Sequence, residues 1–124
     1  MKIAVIILTD PKSGSDEATT RALNGLALAE ESKRMGDEVE IVFAGTGTRW
    51  PAEFSKLSHR GNARYNAVRD RVKGASRGCA IRNDAVAGLE AAGVPLLADN
   101  PAEGTPGLAS LRRYYADGWQ VAIF

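Results

Sequence analysis

The chain has 124 residues, of which 44% are hydrophobic, 25% charged and 6% aromatic. That suffices for one domain with its own core and is too apolar for a disordered chain. A single cysteine, Cys79, excludes an intramolecular disulfide and any multi-cysteine metal site, and the formal net charge of +1 argues against a basic nucleic-acid binder.

The near-neutral total hides three zones. Residues 1–55 carry six Lys/Arg and nine Asp/Glu, residues 56–82 carry eight Lys/Arg against Asp70 alone, and residues 83–124 carry two Lys/Arg and five Asp/Glu. Cys79 lies inside the basic middle. Such asymmetry points to an anionic partner.

In chain order, residues 3–8 form a continuous, largely β-branched run, expected as a strand buried on both faces. At six residues the run is too short for a signal-peptide core, and no segment is long enough to span a membrane. A cytoplasmic protein with a free thiol is the expectation, with no membrane partner. Ser13 or Ser15 can cap a helix whose first turn holds Asp16 and Glu17. Its inner face carries Ala18, Ala22, Leu26 and Ala29, and Gly36 ends it. Residues 39–44 read as a second strand, followed by a turn at Gly45, Thr46 and Gly47. Trp50 and Pro51 open a region without clear periodicity. Residues 62–73 are expected to be helical, with Tyr65, Val68 and Val72 facing inward. The third strand is placed in residues 75–81 despite Ser76, Arg77 and Gly78 within it. A helix over 83–92, a short strand over 94–97, a Pro/Gly-rich loop over 99–107, a helix over 108–116 and a strand over 119–124 complete the pattern. No repeat or domain boundary interrupts it, so residues 1–124 read as one domain. Strands alternating with helices through short connections predict a parallel sheet covered on both faces.

Cys79 is the foremost candidate for chemistry. On this reading it sits between the third strand and the helix beginning near Asn83, where α/β sheets bind ligands. A helix N-terminus together with Arg77 and Arg82 would favour thiolate over thiol. The competing reading makes Cys79 a small buried hydrophobe. Gly45, Thr46 and Gly47 could bring backbone N–H groups to an anion, but they lack the third glycine of a dinucleotide fingerprint and the Gly-Lys-Ser/Thr of a P-loop, and a tight turn is expected. The basic run reads as a solvated helix face, or as a surface for an acidic partner or small anion. With Tyr65 its lone aromatic it offers no stacking platform for nucleic acid. His59, the only histidine, reads as a loop residue without a neighbouring carboxylate, and no metal shell or cofactor site is expected. Trp50 and Trp119 are expected to pack as core or interface aromatics.

Met35-Gly36-Asp37-Glu38-Val39, Ala44-Gly45-Thr46-Gly47, Gly78-Cys79-Ala80, Gly93-Val94-Pro95, Leu108 to Leu111, and Gly118-Trp119 through Phe124 follow one another along the chain. Taken in this order, they resemble the DsrE/DsrF-like family of small sulfur-relay proteins, which includes the TusD type. Residues 49–73 are longer and more basic than the family's connection, and Ile81-Arg82-Asn83-Asp84 is more polar. The resemblance implies a three-layer α/β/α sandwich with a five-stranded, mainly parallel sheet, flavodoxin-like in outline. It also implies a homo-oligomer, a trimer or related assembly, with sulfur donor and acceptor proteins as partners. Cys79 would accept sulfane sulfur as a persulfide and pass it on, with Arg77, Arg82 and Asn83 as candidates to stabilise the sulfur anion. A non-catalytic module for a small anion or nucleotide, and a purely structural homo-oligomeric subunit, are the alternatives.

Overall fold

A computed structural model describes residues 1–124. The chain opens with the apolar run β1 (Lys2–Ile7), followed by α1 (Asp16–Arg34), β2 (Glu38–Phe43), α2 (Trp50–Phe54), α3 (Asn62–Val68) and β3 (Val72–Ser76). Then come α4 (Arg77–Arg82), α5 (Val86–Ala91), β4 (Leu96–Leu97), α6 (Arg112–Ala116) and β5 (Gln120–Ile123). The five strands form one sheet in the order β4-β3-β2-β1-β5, with every pair parallel. The result is the expected α/β/α sandwich. No helix is long and apolar enough to cross a membrane.

Side-chain alternation along the strands divides the core. Ile3, Val5 and Ile7 of β1 and Val39, Ile41 and Phe43 of β2 face one side, where they meet Ala22, Leu26 and Ala29 of α1, Tyr65 and Val68 of α3, and Leu89 of α5. Ala4, Ile6 and Val42 face the other, thinner layer, built on Ala109 and Tyr114. Ser15 caps α1 as expected, its Oγ accepting from the Ala18 N–H.

The chain steps from β1 to β4 one neighbour at a time, with its helices against the larger core, and then crosses the other face to reach β5 at the opposite edge. Right-handed crossovers dictate this change of face when the direction of travel reverses. One consequence is that the segments leaving β3 and β4, which lie side by side, depart toward opposite faces. Adjacent strands whose connections part in this way leave a crevice at their carboxyl ends.

The structure corrects several boundaries. The helix expected over 62–73 ends at Val68, and a 3₁₀ turn at Arg69–Arg71 leads into β3. Val72 therefore belongs to the sheet. The third strand is Val72–Ser76 rather than 75–81. A bulge beside Ile41 and Val42 of β2 breaks its alternation, and Gly74 is demanded by crowding, since a Cβ there would lie 2.6 Å from the Pro95 carbonyl oxygen. The residues after Ser76, expected to continue the strand, form the helix α4, the expected helix over 83–92 is the shorter α5 beginning at Val86, and that over 108–116 begins only at Arg112. The region after Trp50 holds α2, preceded by a 3₁₀ turn at Gly45–Arg49.

On the thinner face, the Glu40 carboxylate of β2 accepts from the Tyr114 hydroxyl and from Arg113 Nη2 at 2.8 Å. The Arg113 guanidinium also lies 4.1 Å from the Tyr114 ring centre. Burial raises the Glu40 pKa, but the hydrogen bonds from Tyr114 and Arg113 outweigh it and leave the group below the usual carboxylate range. Burial and the adjacent Glu40 charge raise the Tyr114 pKa, keeping that hydroxyl a donor. A carboxyl with a depressed folded pKa stabilises the fold above its unfolded pKa and loses that contribution as pH falls through the folded value. Glu40→Gln is therefore expected to cost about 1–2 kcal/mol at pH 7. On acidification from pH 6 to pH 3, the wild type should lose more stability than the variant. Parallel curves of urea midpoint against pH would refute the role given to Glu40.

Candidate functional site

The crevice between the ends of β3 and β4 is a cleft of about 510 Å³. One wall is α4, through Gly78, Cys79, Ile81 and Arg82. The opposite wall is the segment after β4, through Gly104, Thr105, Pro106 and Leu108, and Gly45 and Asn83 close the side toward β2.

Cys79 is thus the third residue of α4, inside the helix and not ahead of it. The strand stops at Ser76, whose buried Oγ accepts from the Ala109 N–H at 3.0 Å and ties the start of α4 to the opposite wall. Gly78 donates its N–H to the Gly107 carbonyl at 2.8 Å. A Cβ on Gly78 would meet Leu108 Cδ2 at 2.8 Å and the Gly107 carbonyl oxygen at 3.1 Å, so the helix can begin flush against the loop only with glycine here. Cys79 is half-buried, with its thiol free.

The three cationic and amide candidates separate. Arg82 lies three residues after Cys79, on the same face of the helix, and lines the same cleft. Arg77 lies two residues before it, where helical side chains diverge, and lines a neighbouring hollow with Glu103 and Pro101 instead. Asn83 borders the cleft but its amide is committed. Nδ2 donates to the carbonyls of Cys79 at 2.9 Å and Gly45 at 3.2 Å. Asn83 is therefore a positioning residue rather than an anion ligand.

Arg49 and Asp10, absent from the sequence-based candidates, extend this clasp. Arg49 Nε donates to the Asn83 carbonyl at 3.1 Å, and Nη1 donates to both Asp10 carboxylate oxygens at 3.0 and 3.1 Å. The loops after β1, β2 and β3 are joined into one frame beneath α4. Asp84 adopts a left-handed φ of 51° where the chain reverses between α4 and α5, a conformation aspartate tolerates better than most residues.

The Gly45–Thr46–Gly47 segment is a 3₁₀ turn folded onto the sheet. Thr46 Oγ1 donates to the Leu8 carbonyl at 2.9 Å, and Thr48 Oγ1 donates to the Gly45 carbonyl at 2.8 Å. Gly47 presses against the Ile7 backbone, and of the three only Gly45 borders the cleft. His59 lies elsewhere, with its Nδ1 accepting from the Gly61 N–H and its ring edge-on to Phe54. No acidic or imidazole side chain lines the cleft.

Chemically, this is a lone thiol with a cation on its face and no general base beside it. It suits reactions in which sulfur itself is the nucleophile, and it lacks the base that activates a hydroxyl nucleophile or water. Comparison with protein-family models, with curated proteins and with solved structures finds no match.

Proposed function

We propose that this chain is a sulfur carrier of the DsrE/DsrF-like kind, in which Cys79 takes up sulfane sulfur as a persulfide and hands it to an acceptor thiol. The observation that carries the reading is the position of the only thiol, half-exposed in the crevice where the β3 and β4 connections part. The exchange is balanced without an oxidant. The Cys79 thiolate attacks the terminal sulfur of a donor persulfide R–S–SH and forms a new Sγ–S bond. The donor S–S bond breaks, and R–S⁻ leaves with the electron pair. An acceptor thiolate then attacks the outer sulfur on Cys79, and the Cys79 thiolate is the leaving group. A chain with no second cysteine cannot divert the sulfur into an internal disulfide. This chemistry calls for a reducing compartment such as the cytoplasm, and a homo-oligomer belongs to the same reading.

Treatment with a persulfide donor, followed by alkylation and peptide mass analysis, is expected to yield an alkylated perthiol on the peptide containing Cys79. Cys79→Ser should yield none. Unmodified Cys79, or sulfur retained by the serine variant, would overturn the proposal.

A further inference from the structure

The cleft's composition says more about the donor than the thiol does. Its one cationic side chain is Arg82, no carboxylate shares the lining, and Arg82 makes no ion pair. Glu103, next in sequence to the opposite wall, lines the neighbouring hollow together with Arg77 and does not line the cleft. The remaining surface is largely apolar, from Ile81, Leu108 and Pro106, with Ile81 48% exposed. The space, about 510 Å³, lies within the roughly 300–1,000 Å³ of small-molecule sites. Cys79 is half-buried at its wall and does not project from the surface.

We infer that the cleft binds a small organic acid carrying the sulfur. Its carboxylate pairs with Arg82, its body lies on Ile81, Leu108 and Pro106, and its sulfur meets Cys79. This rests on the persulfide reading and names its donor as a low-molecular-weight carboxylated persulfide. The placement follows from helix geometry, since residues 79 and 82 share a face one turn apart and a bound carboxylate is thereby held beside the thiol. Guanidinium is suited to the carboxylate because it offers a planar pair of donors.

The test separates binding from sulfur transfer. S-methylglutathione carries carboxylates and a blocked sulfur, so it can occupy the cleft without reacting. At saturation it is expected to slow alkylation of Cys79 by iodoacetamide about fivefold or more. Its dimethyl ester should protect far less. Arg82→Gln, at an exposed position, should raise the concentration needed for half-maximal protection roughly tenfold, the worth of one charged hydrogen-bonded contact. Arg77→Gln should leave it unchanged. Absence of protection, equal protection by the ester, or an unchanged half-protecting concentration in Arg82→Gln would overturn the inference. Sulfur loading of Cys79 without protection would preserve the carrier reading while ending this one, and protection without loading would leave the cleft a site for a small organic acid while ending the carrier reading and, with it, the assignment of that acid as a sulfur donor.

Discussion

Gly47→Ala is expected to be the most damaging single-methyl substitution in the molecule, costing about 3–5 kcal/mol of folding stability. A Cβ at residue 47 would lie 2.2 Å from the Ile7 carbonyl oxygen, 2.8 Å from its carbonyl carbon and 3.1 Å from Leu8 Cα. All three are backbone atoms at the end of β1, so no side-chain rotation relieves the clash. The same Ile7 carbonyl accepts the Ala44 N–H at 3.1 Å, so lifting the turn away also breaks a bond that closes the β1–β2 ladder. Nor can the turn move alone. Thr46 anchors it to Leu8, and the Gly45 carbonyl receives the Asn83 amide that holds α4. A domain of this size has roughly 6–19 kcal/mol of total stability, so this one methyl group threatens a large fraction of it. Urea unfolding measures the loss. A cost below about 1 kcal/mol would show that the turn is not pressed onto β1 as described.

Trp50→Ala is expected to cost about 3–5 kcal/mol as well, through lost packing rather than through a clash. The Trp50 ring is buried, stacked on Phe54 with centroids 4.8 Å apart and planes 12° apart. Its Nε1 donates to the Thr9 carbonyl at 2.7 Å, while Thr9 Oγ1 donates to the Ala18 carbonyl at 2.8 Å. One side chain thus joins α2, the loop after β1 and the first turn of α1. Trp50→Phe should separate the two contributions. It keeps an aromatic ring on Phe54 but leaves the Thr9 carbonyl without its indole donor, for an expected cost of about 1–3 kcal/mol. Trp119, the second tryptophan, remains as a fluorescence reporter of unfolding in both variants. If phenylalanine proved as costly as alanine, the hydrogen bond and not the stacking would dominate. If both were neutral, the buried position assigned to Trp50 would be wrong.

The parts of the fold that sequence reveals are those set by local periodicity. The β-branched run of β1 and the spacing of Ala22, Leu26 and Ala29 in α1 each bury a continuous face, and Ser15 caps the helix through atoms three residues away. β3 lacks such a signature because its residues answer to a neighbour distant in sequence. Gly74 is small so that Pro95 and Leu97 can approach, and a bulge at Lys73, opposite Ile41 and Val42 of β2, removes the alternation that would mark a strand. That misplaced boundary carried Cys79 out of the helix that contains it. The crevice itself was legible in outline, since a strand followed by a cysteine at a sheet's carboxyl edge suggests a site. Its closure was not, because Asn83 reaches a carbonyl 38 residues away and Gly78 docks on Gly107. The contrast between Arg77 and Arg82 is a case of short-range geometry that becomes readable once α4 is known to start at Arg77, since a separation of three residues shares a helix face and two does not.

The charge pattern also takes a narrower meaning in three dimensions. Part of the basic run is neutralised locally, with Lys56 paired to Glu53, Arg64 to Glu30 and Arg71 beside Asp70, which Lys33 also engages. Arg82 stands apart as the cation that shares a cleft with the thiol.

The most direct measurement of the central claim is a load-and-discharge experiment on the intact protein. The chain is exposed to a persulfide donor, freed of it, weighed, treated with an excess of acceptor thiol and weighed again. The expected result is a gain of one sulfur atom confined to Cys79, followed by its quantitative loss to the acceptor, with Cys79→Ser silent in both stages. No gain in the folded wild type, or a gain that the acceptor cannot remove, would contradict a role for this protein as a sulfur carrier.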